Sequence, residues 1–103
     1  MIIYPIEISQ TSSSGAWSFN TEKIKAGTLK QIYIKSATAT TTFDFQITDD
    51  KSNVVFDTSQ DGSTATGILN ILLELPLRGK YTIAVASASA DEAFTGRLMV
   101  EDA

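Results

Sequence analysis

Apolar residues recur at every second position through most of this chain, the spacing of half-buried β-strands. Ile2, Tyr4, Ile6 and Ile8 share one face of a first strand, and Trp17 with Phe19 one face of a second. Ile32 and Ile34 sit two apart in TLKQIYIKS, as do Phe43, Phe45 and Ile47 in TFDFQIT, and Val54 with Phe56 resume the pattern after a polar gap. Leu69, Ile71, Leu73 and Leu75 line one side of the next strand, which Pro76 is expected to close because proline has no N–H for a sheet ladder. A hairpin through LRGK, with Gly79 at the turn, is expected to return into Tyr81, Ile83 and Val85. Phe94, Leu98 and Val100 alternate toward the end, with Gly96 at an inward position where a bulge or close backbone approach is expected. Helical signals are nearly absent: TEKIKAG, residues 21–27, fits a loop or short strand better than a turn capped by Thr21. Thr-rich SATATTT before Phe43 is compatible with strand.

About eight short strands separated by turn residues predict an all-β fold, an antiparallel sandwich of jelly-roll type in one domain over residues 1–103. A chain of this length buries roughly 60 to 65% of its unfolded surface, enough for one core.

The same alternation exposes an anomaly in ILNILLEL, residues 68–75. If Leu69, Ile71, Leu73 and Leu75 face inward, Ile68 and Leu72 emerge on the other side, interrupted only by Asn70 and Glu74. Ile3 and Pro5 do so on the first strand, and Leu29 with Tyr33 on the strand that turns Ile32 and Ile34 inward. Several apolar side chains on one outer sheet face form a patch that needs a cover. Ile68, Leu72, Tyr33 and Leu29 are therefore the interface candidates; a bulge turning them inward would remove the feature.

Composition narrows the partners. Apolar residues make up 43% and charged residues 19%, as in ordinary folded domains. Eight basic against twelve acidic side chains leave a net charge of -4 and no basic run, which argues against nucleic acid. There is no cysteine, hence no disulfide framework and no thiol nucleophile. MIIYPIEISQ lacks a positive leader and interrupts its apolar residues with Pro5 and Glu7, so neither a signal peptide nor a membrane anchor is expected. The chain reads as a complete small soluble protein beginning at Met1.

Candidate chemistry is sparse, and an enzyme is not expected. Histidine is absent, which removes the usual general base and the commonest zinc ligand together. Glu7, Glu22, Asp44, Glu74, Asp91 and Glu92 show no pairing by spacing and are read as solvated surface acids. In TDDKSNV a helix-flanked calcium loop would need Gly sixth and Glu twelfth, yet from Asp49 those places hold Val54 and Gln60. Asp49, Asp50 and Asn53 are better read as turn formers, and Asp57, Asp61 and Gly62 in DTSQDG likewise. No metal or cofactor is expected. Trp17, Tyr4 and Tyr33 are the aromatics that could stack on sugar rings, although a Trp beside a Phe at period 2 is more often core.

GKYTIAVASASADEAFTGRLMVED, residues 79–102, and FDFQITDDKSNVVFD, residues 43–57, resemble the carboxy-terminal hairpins of small jelly-roll and pre-peptidase-type sandwiches. The short Thr- and Ser-rich chain, without Cys, His or export signal, is also similar to small virion proteins of tailed bacteriophages, particularly head-decoration or cement proteins. That resemblance implies a dimer or trimer bound to a major capsid protein on the virion surface after synthesis in the host cytoplasm, with no nucleic-acid or membrane partner. It carries no functional residue. The alternative is a carbohydrate- or calcium-binding accessory module.

Overall fold

The period-2 segments fold as strands because each has one apolar face to bury and Thr- or Val-type residues that suit a pleated backbone. A computed structural model describes residues 2–58 and 65–102. Its strands are β1 (Ile3–Thr11), β2 (Trp17–Asn20), β3 (Ile24–Ser36), β4 (Thr42–Asp49), β5 (Val54–Asp57), β6 (Ala65–Thr66), β7 (Ile68–Gly79), β8 (Tyr81–Ala86) and β9 (Ala93–Asp102). One layer runs β1-β9-β3-β7 and the other β2-β8-β4-β5, with every pairing antiparallel. The two-residue β6 bonds β7 on one side and β4 on the other, joining the layers at a corner. Chain order one-nine-three-seven facing two-eight-four-five is the double Greek-key winding of a jelly roll, the type expected from the sequence, in a strand order that the apolar pattern does not supply.

The core lies between the layers. Leu29, Ile32, Ile34, Phe94, Leu98 and Val100 come from the first, and Trp17, Phe43, Phe45, Ile47, Ile83 and Val85 from the second. Phe94 spans the gap: its ring meets Phe43 edge-on at 5.2 Å between centroids and Trp17 at 5.8 Å. Such tilted contacts suit the ring quadrupoles and add about 0.5–1.5 kcal/mol per pair beyond area burial.

Four expectations about the strands need correction. Pro76 does not end β7, which continues to Gly79. Proline is tolerated there because β7 pairs β3 on one side, while among the described residues its other edge is bonded only through Ile68, to Thr66 of β6.

LRGK is not a hairpin. β7 lies in one layer and β8 in the other, so the chain arches across the sandwich there. Leu77 and Tyr81 are both buried, and Gly79 takes φ 102 between them. The Tyr81 hydroxyl accepts from the Arg78 N–H at 2.7 Å and donates to the Arg78 carbonyl at 3.0 Å, fixing the arch as a tyrosine corner does in Greek-key sandwiches.

The segment resembling a carboxy-terminal hairpin likewise divides between layers, since β8 pairs β2 and β4 while β9 pairs β1 and β3. Of SATATTT, only the flanking Ser36 and Thr42 are in strand; residues 37–41 form a loop.

That loop brings out a fifth correction, concerning an acid. Glu92 is buried rather than solvated. Its carboxylate accepts from the Thr38 N–H at 2.5 Å and from the Thr38 hydroxyl at 3.2 Å. Its own N–H donates to Ser12 Oγ at 2.9 Å, and its carbonyl accepts from the Ser12 N–H at 2.8 Å. One residue thus ties the end of β1 and the β3–β4 loop to the start of β9. Glu92→Ala is expected to cost about 1–3 kcal/mol, because the Thr38 groups lose their acceptors in a partly buried place. Glu92→Gln should restore most of that loss, its amide oxygen accepting from the Thr38 N–H and its amide nitrogen donating to the hydroxyl. Urea unfolding of the two variants checks the pair; equal losses would mean that the negative charge, not the acceptor geometry, matters.

Candidate interaction surface

The outer face of the β1-β9-β3-β7 layer collects the apolar side chains that point away from the core. Pairing register sets which residues share a row. Pro5 opposes Met99, Met99 opposes Gln31 and Gln31 opposes Leu72, giving one row across all four strands. A second row holds Glu7, Arg97, Tyr33 and Asn70, and a third Ser9, Thr95, Lys35 and Ile68. Leu72 is 79% exposed, Ile3 53% and Ile68 50%. Ile3, Met99 and Leu72 line a shallow depression walled by Lys30 and Glu74.

Two polar pairs bridge neighbouring strands on this face. Lys30 Nζ donates to Glu74 Oε1 at 2.6 Å, and Gln31 Nε2 to Asn70 Oδ1 at 2.9 Å. The hydrogen bond to Glu74 raises the Lys30 pKa, and the same bond lowers that of Glu74. Both groups are solvated, so this pair orders the surface more than it stabilises the fold. The Arg97 guanidinium lies 5.7 Å from the Tyr33 ring centroid, within cation–π range.

Of the interface candidates, Ile68, Leu72 and Tyr33 stand on this outer face, with Tyr33 half-buried. Leu29 does not: it is 0% exposed, in the core. A β-bulge between Leu29 and Gln31 is the cause. Lys30 is an extra residue against β9, so the alternation slips by one and Leu29 turns to the same side as Ile32 and Ile34. Strict period-2 counting cannot detect such a slip. Met99, which the sequence reading overlooked, is legible in hindsight as the residue between inward Leu98 and Val100.

The sugar-stacking candidates are also corrected. Trp17 is buried, stacked on Phe19 with centroids 6.1 Å apart and tilted against Phe94, so it offers no open platform. Its indole N–H has no hydrogen-bond partner among the described residues. Tyr4 is half-buried with its side chain against the core.

Asp49 forms a turn. Its Oδ1 accepts from the N–H groups of Lys51 and Asn53 at 2.9 and 2.8 Å, and its Oδ2 from Asn53 Nδ2 at 3.1 Å. Those bonds, led by the Asn53 N–H, lower its pKa, and they occupy the oxygens that an ion would use. Asp57 sits half-buried on β5 and accepts from Gln46 Nε2 at 3.2 Å, while Asp61 and Gly62 lie outside the described residues. No group of three or more His, Cys, Asp or Glu side chains is disposed to hold a metal among the described residues.

No protein-family model matches this chain, and no curated protein is significantly similar to it in sequence. No helix among the described residues is long and apolar enough to cross a membrane. Fold and surface together define a jelly-roll β-sandwich whose outer sheet face is mixed, with an exposed apolar cluster at Ile3, Met99 and Leu72.

Proposed function

We propose that this jelly roll is a non-catalytic structural protein that works by contact, as an oligomeric component of a protein shell of the decoration kind carried by tailed-phage heads. The carrying observation is the exposure of Leu72 and Ile3 around Met99 on one sheet face, with Ile68 exposed further along the same face. Burying a large aliphatic side chain contributes about 1.5–3 kcal/mol, so a few such residues at the centre of a contact can hold subunits together. Jelly rolls serve both in viral capsids and in lectins, so the fold leaves both classes open. What favours the contact reading over a sugar or calcium site is that Trp17 is buried, Tyr4 packs against the core, the Tyr33 ring faces Arg97, and the Asp49 carboxylate is bonded within its own turn.

Light scattering should give two or three times the 11.1 kDa chain mass, and shells lacking the protein should withstand heat less well than shells carrying it. Ile3→Asp should weaken shell binding while changing the stability of the isolated protein by no more than about 0.5 kcal/mol, as for exposed sites in general. A monomer that leaves the heat resistance of shells unchanged would overturn the proposal.

A further inference from the structure

We infer that two copies of this chain pair edge to edge through β7, antiparallel and about a two-fold axis at Leu72, so that their four-stranded layers continue as one eight-stranded sheet. The inference rests on the assembly reading and names its self-contact.

Among the described residues β7 is a sheet edge, and an edge strand carries a row of unpaired N–H and C=O groups ready to template another strand. Among the described residues its outer side is taken only at Ile68, by Thr66 of β6, and proline interrupts it at Pro76. Between these stops lie the seven residues Leu69 to Leu75, whose midpoint is Leu72. A two-fold there sets Leu72 against its own copy, Asn70 against Glu74, Ile71 against Leu73 and Leu69 against Leu75. Apolar residues meet apolar ones on both faces and the one carboxylate meets an amide. A centre at Glu74 would instead oppose two carboxylates, and a centre at Leu73 would set Leu72 against Glu74.

The side chains favour the same seam. Leu72 is 79% exposed on the outer face, while Ile71, Leu73 and Leu75 are only half-buried on the inner face. Inward-pointing residues of a closed sandwich are ordinarily covered; these lie along its open side, where a neighbouring strand would complete their burial. Seven paired residues span about 24 Å, and the resulting interface is self-complementary, as two-fold contacts must be. The exposed rows of the two outer faces would then join into one docking surface.

The absence of native cysteine makes the test clean. In directly opposed antiparallel positions the Cα atoms are about 4.5–5.5 Å apart, inside the roughly 4.4–6.8 Å that a disulfide accepts. Leu72→Cys, oxidised by air, should become a covalent dimer with an unchanged circular dichroism spectrum. Asn70→Cys mixed with Glu74→Cys should cross-link, whereas Asn70→Cys alone should not, its two copies standing about 14 Å apart in this register. Pro5→Cys, on the far edge strand, should stay unlinked.

A wild-type mass of three chains, or a two-chain mass with no linkage at position 72, overturns edge pairing and leaves the assembly reading standing. A wild-type monomer that still raises the heat resistance of shells does the same. A monomer without effect on shells overturns both.

Discussion

Gly96→Ala should destabilise this sandwich by about 2–6 kcal/mol, combining the strain of an unfavourable backbone conformation with that of overpacking. Gly96 sits on β9 between Ile8 of β1 and Ile34 of β3, with φ at 157. A Cβ built there would stand 2.0 Å from the Tyr33 carbonyl oxygen and 2.9 Å from Ile34 Cα. These are main-chain atoms of the adjacent strand, so relief requires β9 and β3 to part at the centre of their layer. Gly79→Ala is the informative companion, because φ is 102 there but nothing lies within 4 Å of the added carbon. It should incur the conformational part alone, about 1–3 kcal/mol. Trp17 is the single tryptophan and is buried, so its fluorescence reports both unfolding transitions. Equal losses for the two variants would show that the predicted clash at Gly96 is absorbed elsewhere.

Phe94→Ala should cost about 3–5 kcal/mol, the range for deleting a buried aromatic ring. Phe94 is 1% exposed and is the residue of the outer-face layer whose ring reaches Phe43 and Trp17 of the other. Truncation removes contacts on both sides at once, and the β-sheet backbones on either side resist collapse into the space. The folded-state fluorescence of Trp17 should change as well, since one of its packing neighbours is gone. Phe94→Leu should lose less stability because it fills most of the cavity. A loss below about 1 kcal/mol for Phe94→Ala would mean that the two layers do not depend on this cross-link.

How much of this was readable in the chain depends on how local the physics is. Side-chain direction along a strand alternates by covalent geometry, so the inward faces of β4, β7, β8 and β9 follow from the positions of Phe43, Leu69, Ile83 and Leu98 alone. The outward stance of Ile68 and Leu72 follows by the same rule. Leu29 escaped it because one bulged residue, Lys30, shifts the phase, and nothing in TLKQIYIKS marks that residue as extra. Glu92 looked like any surface acid; its burial arises because Ser12 and Thr38, 80 and 54 positions away, converge on it.

The sequence by itself therefore determined the strands, their buried faces and the all-β class, since these depend on neighbours two residues apart and on apolar burial. Only the tertiary structure decided which strands lie side by side, that Gly79 carries the chain across the sandwich, and that Ile3 of β1, Met99 of β9 and Leu72 of β7 come together on one outer face. Strand pairing is a choice among distant partners made by the whole core at once, and a local pattern of apolar and polar positions does not encode it.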